Sequence, residues 1–374
     1  MQKAKKRLFS VTAVLLAVLV ALTALLPTAG AAQAATMRSK YTGKSYTHNA
    51  RFNKLEVLNG VDISAWQEKV NWKKIKNDGI DFAILRAGYG KNASQEDAYF
   101  ATNFKNATAA GLPVGIYWYS YAKSVADVEK EARLCLQVLG SRTLDLPVFY
   151  DLEESSQLNK GKAFCTQLVE HFCSIIAAAG HTPGLYMSRS PLLDYIEQET
   201  RGRYALWVAE YGSKTCKYDG DYLMWQYADN GKVAGVNGHT DMDFLYGNKN
   251  SLPGSATLLK SKTYTGKAIT PAPTVTGEDG QPLKADKDYT LTYINNKAVG
   301  MATITAQGLG TYTGRRWYYR FKILPAKVTG LTLESRSKTR LTYIWNATPG
   351  ANAYLVKVIN RTTGKGLSLI HISE

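Results

Sequence analysis

From residue 59 to about residue 200, short apolar runs alternate with longer amphipathic stretches. Gly60, Val61 and Ile63 interleave with Asp62 and Ser64, which predicts a strand that delivers Asp62 at its C-terminal end. A short helix over Trp72–Asn77 follows, with Gly79 just past its end. DFAILRAGYG predicts a strand over Phe82–Ala87, and Glu96–Ala110 a helix stopped by Gly111. LPVGIYWYSYA is a third strand, Ser124–Leu139 a helix, and the apolar run Pro147–Tyr150 in LPVFYDLEE a fourth strand buried on both faces. The alternation continues through a helix at Lys162–Ala179, a strand at Gly184–Ser188 and a helix near Pro191–Glu199. Beyond that point strands Tyr204–Ala209, Tyr222–Tyr227 and Thr240–Phe244 follow one another through turn-rich segments. Strands separated by helices of ten or more residues pair in parallel through crossovers. The expected class is therefore α/β: an irregular (β/α) barrel of the TIM type, with eight strands and about five helices, whose final third lacks outer helices.

The fourth strand ends in Asp151, Leu152 and Glu153. Side chains alternate along an extended chain, so the two acids share one side, roughly 6.5–7 Å apart, and Leu152 takes the other. Paired carboxylates in unequal surroundings split their pKa values and can set a proton donor beside an ionised partner, which is what cleaving a glycosidic bond requires. Taken alone, an Asp-x-Glu at a strand end is equally a helix cap or an ion-pair site. The company it keeps carries the reading. Active groups on such barrels gather at the strands' C-terminal ends. Those ends supply Asp62, Arg86, Tyr117, Tyr119, Tyr186, Trp207, Glu210, Trp225, Tyr227 and Asp241, a rim of acids and rings suited to carbohydrate.

Composition adds an address. The chain opens with MQKAKKR, an apolar run from Leu8 to Leu26 and small residues around Ala29–Ala35, the layout of a secretory signal peptide over residues 1–34; an uncleaved anchor is the competing reading. Losing Lys3, Lys5, Lys6 and Arg7 with that segment leaves +12 of the formal +16. A basic exported protein is drawn to polyanions, and anionic cell-wall polymers fit export better than nucleic acid does. No partner in the membrane is expected after cleavage, and a monomer is expected. Cys135, Cys165, Cys173 and Cys216 lack the spacing of a zinc site and read as buried thiols, with a Cys135 bridge to Cys165 or Cys173 the alternative. No cofactor or metal is implied.

GVDISAW, FAILRAGYG, GIYWYSYA, PVFYDLE, GLYMS, LWVAEY, MWQYAD and TDMDFLYG, in that order over roughly Asn59–Gly247, resemble the glycoside hydrolase family 25 lysozymes. The resemblance implies an N-acetylmuramidase that cuts the β-1,4 bond between N-acetylmuramic acid and N-acetylglucosamine in peptidoglycan. Glu153 is then the general acid, Asp151 its partner, Asp62 a further essential carboxylate, and Asp241 the acid of the last strand. The implied mechanism has Asp151 ionised and raising the pKa of Glu153, with the substrate's 2-acetamido group as internal nucleophile; inversion through a water held by Asp62 or Asp241 is the alternative. Two features depart from the family pattern: Asp243 stands where D-x-N is frequent, and Trp118 and Tyr119 stand where a histidine is common.

The organisation expected is a polar lead-in over 35–58, the barrel over 59–250, a linker over 251–257 and an all-β module over 258–324. The module resembles those repeated in surface proteins of Gram-positive bacteria, marked by YTGKAITP and GTYTG. Residues 325–366 resemble the start of a fibronectin type III sandwich, too short for the roughly 100 residues such a domain takes. The tail LSLIHISE, 367–374, matches the translation of a transposon-end sequencing adapter, so the native sequence is expected to stop near Gly366. The reading is a secreted, wall-associated hydrolase. A catalytically inactive glycan-binding adhesin is the alternative, and a chitinase-type barrel would need a different acid spacing.

Overall fold

The computed structural model describes residues 34–249, 252–254, 256–277, 279–337, 340–359 and 366–373, with side chains through residue 356. The expected signal peptide lies outside the described residues apart from its last position, and the side chains of the expected adapter tail lie outside them too. A hairpin of β1 (Thr36–Arg38) and β2 (Ser45–Thr47) comes first. The barrel strands are β3 (Glu56–Ile63), β4 (Phe82–Tyr89), β5 (Val114–Tyr119), β6 (Val148–Asp151), β7 (Pro183–Ser188), β8 (Ala205–Ala209), β9 (Met224–Gly231) and β10 (Thr240–Gly247). They close in the order β10-β3-β4-β5-β6-β7-β8-β9. The main outer helices are α1 (Trp72–Asn77), α2 (Phe100–Ala109), α3 (Val125–Leu139), α4 (Ser155–Leu158), α5 (Lys162–Ala178), α6 (Arg189–Tyr195) and α7 (Gln198–Arg203).

Neighbours from β3 to β9 pair in parallel, but β10 runs antiparallel to both β3 and β9. The eight residues between β9 and β10 are too few for a crossover of a dozen or more, so the chain must turn straight back. This reversal corrects the uniform reading of strand ends. Asp241 reaches the same mouth as Asp62 from the start of its strand, and the two are directly paired across β10 and β3.

Each strand sorts its residues by parity. Phe82, Phe149, Trp207, Met224 and Leu245 fill the barrel, while Val61, Leu85, Tyr150, Trp225 and Phe244 face outward. Gly60 leaves room for the Phe82 ring: a Cβ there would come within 2.1 Å of it. The segment expected as a polar lead-in contributes to the outer core, where Tyr41, Tyr46 and Phe52 are buried and Phe52 stacks on Tyr246 at 3.9 Å. It covers the side of the barrel that has no helices.

Two helices differ from expectation for local reasons. The helix expected from Glu96 begins at Phe100, because Glu96 bridges to Gly88 and Asp97 is taken up by Arg86. The helix near Pro191–Glu199 is split into α6 and α7 by Ile196, whose backbone is extended. All four cysteines are buried free thiols.

Past the barrel, β11 (Thr257–Leu258), β13 (Tyr289–Ile294), β14 (Gly300–Gly308) and β15 (Arg316–Leu324) form a sheet in the order β11-β15-β14-β13, with β12 (Lys262–Thr263) also on β15. Its small core includes Val275, Ile304, Phe321 and Ile323. It is bonded to the barrel by the Arg316–Asp221 ion pair at 2.5 Å, by Gln307 donating to Asp221 at 2.6 Å and by Asn295 donating to the Ser174 carbonyl at 2.7 Å. Beyond it, β16 (Thr332–Arg336) pairs with β17 (Leu341–Ile344), and β18 (Ala353–Ile359) with β19 (Gly366–Ser373), as two separate two-stranded sheets.

Candidate active site

The parity of β6 sets the centre of the site. Val148, Tyr150 and Leu152 join the outer core, whereas Phe149 points into the barrel and Asp151 and Glu153 line a cleft at its mouth. The cleft has a volume of about 360 Å³, within the roughly 300–1,000 Å³ of small-molecule sites. Asp62, Arg86, Tyr117, Tyr119, Tyr186, Trp207 and Asp241 line it as well. Nine of the twelve residues expected at the site are thus brought together.

Three are not. Trp225 and Tyr227 face outward: Trp225 meets Tyr46 edge-on at 5.7 Å, and Tyr227 stacks on Phe244 at 3.9 Å with its hydroxyl 3.1 Å from Ser39 Oγ. Along β9 the inward position between them is Gln226. Glu210 sits beyond the rim, its carboxylate accepting from Arg189 Nε at 3.1 Å and from the Lys217 amide at 2.7 Å. Reading strand tips without their parity selected the wrong members of β9.

Gln226 is the residue that sequence reasoning missed, although period-two alternation along MWQYAD would have found it. Its Oε1 accepts from the Tyr186 hydroxyl at 2.7 Å and from the Tyr211 hydroxyl. That fixes the amide so that Nε2 donates to Asp62 Oδ2 at 2.7 Å. Asp97 is a second omission: it accepts from Arg86 Nε at 2.7 Å and from the Ala65 amide at 2.9 Å, tying the floor of the cleft to the turn after β3. On that turn Ser64 and Gln67 form a capping box, and Trp66 stands 82% exposed at the rim.

Burial and neighbouring acids push up each of the carboxyls lining the cleft. Burial pushes Asp62 well above the usual carboxylate range, with Asp241 and Asp243 adding to it. Asp241 is pushed up to about 6 by burial and then by Asp229. Glu153 is raised by burial and by Glu154 and is partly relieved by a hydroxyl bond from Ser188. Asp151 is raised well up by burial and by Glu153, with Arg86 opposing. The expectation had an ionised Asp151 raising Glu153; here burial and Glu153 both push up Asp151. Its buried Oδ1 has no hydrogen-bond partner, while Glu154 accepts from the Tyr119 hydroxyl at 2.8 Å.

Acids with raised pKa values on the wall of a ring-lined cleft, at one mouth of a closed barrel, make up the working parts of a glycoside hydrolase. The model of glycosyl hydrolases family 25 matches residues 61–236. The chain is 30% identical over 206 residues to the uncharacterized protein YegX of Escherichia coli O157:H7, across 52% of this chain and 72% of that one. It is 26% identical over 186 residues to the autolytic lysozyme of Clostridium acetobutylicum, across 50% of this chain and 55% of that one. With lysozyme M1 of Streptomyces globisporus it shares 26% identity over 208 residues, 51% of this chain and 68% of that one. The chain belongs to glycosyl hydrolases family 25.

Proposed function

We propose that this protein is a secreted, wall-associated N-acetylmuramidase that hydrolyses the β-1,4 bond between N-acetylmuramic acid and N-acetylglucosamine in peptidoglycan. The observation that carries the reading is the placement of Asp151 and Glu153 on one cleft wall, opposite the paired Asp62 and Asp241. Relatives named as lysozymes point to the same substrate.

Glu153, half-buried and raised, donates its proton to the glycosidic oxygen as the bond breaks. Beneath it, the unpartnered Asp151 Oδ1 accepts the N–H of the substrate's 2-acetamido group. That donor, with Arg86, favours the ionised form of Asp151 once sugar is bound. The acetamido oxygen then attacks C1, and water opens the intermediate with retention. Exposed Trp66 and the rings of Tyr117 and Tyr119 bear on the sugar faces. The basic surface favours the anionic wall, and the module at 258–324 serves as spacer or wall contact. The test is incubation with purified peptidoglycan and mass spectrometry of the products. N-acetylmuramic acid at the new reducing ends is expected; N-acetylglucosamine there, or no release, refutes the reading.

A further inference from the structure

Building on the muramidase reading, we propose that a groove beside the cleft takes the acidic stem peptide of a bound muramic acid, Lys44 and Lys214 meeting its carboxylates. The favoured substrate is then a glycan strand whose stem peptides keep those carboxylates free. The groove has a volume of about 580 Å³ and lies between the β1–β2 hairpin, the loop from β8 to β9 and the end of β9. One of its walls is the N-terminal hairpin, which precedes the 61–236 stretch that matches the family. Three contacts hold that wall in place. The Thr47 amide donates to the Lys214 carbonyl at 2.7 Å, the Ser39 amide donates to the Lys44 carbonyl at 2.9 Å, and buried Tyr46 meets Tyr227 with ring centroids 4.5 Å apart. Both lysines are thus fixed through their backbones, yet both are exposed, and among the described residues neither ammonium has a carboxylate partner.

Tyr211 joins the groove to the cleft. It lines both, its hydroxyl bonded to the Gln226 side-chain oxygen and its ring 42% exposed. Asp229 lies in the groove, and its charge is near enough to raise Asp241, which lines the cleft. In peptidoglycan the peptide hangs from the lactyl ether of muramic acid and carries carboxylates on its glutamate and at its end. A sugar seated among the acids of the cleft must send that chain out past the rim. Arg86, the cation that lines the cleft, is committed to Asp97. The positive charge left for a peptide carboxylate is in the groove, where Lys44 and Lys214 stand against Asp229. Like charge suppresses the wrong ligand and opposite charge selects the right one.

The test sets two glycan strands in competition in one reaction, identical except that one carries stem peptides with free carboxylates and the other the same peptides amidated. Mass spectrometry of the products gives the ratio of kcat/KM. Exposed charge pairs are individually weak, so the wild-type protein is expected to cleave the acidic strand about three- to tenfold faster. That ratio should fall towards one in about 0.5 M salt, which screens exposed charge, and in the double variant K44E/K214E. K44Q/K214Q removes the charges without reversing them; an intermediate ratio is expected, and this variant decides where the glutamates disturb the hairpin. A wild-type ratio of one or below, or a preference that both double variants keep, overturns the groove assignment and leaves the muramidase reading standing. Cleavage of neither strand overturns that reading and this one with it.

Discussion

Glu131, on α3, links the outer layer to the floor of the cleft, and replacing it with glutamine isolates one buried proton. The side chain is fully buried. Its Oε1 accepts from the Tyr121 amide at 2.8 Å, and its Oε2 from Ser120 Oγ at 2.8 Å and the Tyr150 hydroxyl at 3.3 Å. Tyr150 immediately precedes Asp151. Burial, outweighing these bonds, raises the carboxyl from 4.5 to about 7. The folded protein thus retains a proton that the unfolded chain releases near pH 4.5. The contribution to stability is whole below that pH and is lost as pH rises through about 7. At about 1.4 kcal/mol per pH unit, the rise amounts to about 3 kcal/mol. In E131Q the amide stays neutral, keeps its oxygen on Tyr121 and offers N–H to the hydroxyls. Denaturant unfolding of both proteins across about pH 4.5 to 8 measures the difference. The stability of E131Q relative to wild type should climb by about 3 kcal/mol over that range. A difference that stays constant refutes the buried proton.

Three further outcomes follow from the cleft. Q226L takes the Gln226 amide from Asp62 and its oxygen from the Tyr186 hydroxyl, which keeps Tyr211 at 3.3 Å, so at about 1–3 kcal/mol for a buried partner lost thermal unfolding should show a loss of about 2 kcal/mol, with turnover well below wild type. W66A should raise KM for peptidoglycan several-fold with less effect on kcat, because this exposed ring borders the cleft. Y227F should leave KM unchanged, since that ring packs on Phe244 outside the barrel.

Much of the fold was legible because its signals are local. Trp72–Asn77 was bounded by Gly79 and is capped by Asn71, whose side chain accepts from the Lys74 amide at 3.0 Å. Alternation placed Asp151, Leu152 and Glu153 correctly because one strand's parity needs no partner. What depends on partners was lost. The direction of β10 follows from a connection too short to cross over, and that constraint was in the chain though unused. Trp225 and Tyr227 were drawn to the site by their chemistry, against the parity that Gln226 obeys. Asp97 and Glu131 act through buried bonds to groups 11 and 10 residues away, which no periodicity announces.

Among all these outcomes, turnover of E153Q on a defined glycan strand bears most directly on the central claim, that the proton for the leaving oxygen sits at residue 153. General acid catalysis contributes roughly 100-fold to 10,000-fold. The account predicts that E153Q retains wild-type unfolding and loses at least about 100-fold in kcat; more than a few per cent of wild-type turnover by the folded variant contradicts it.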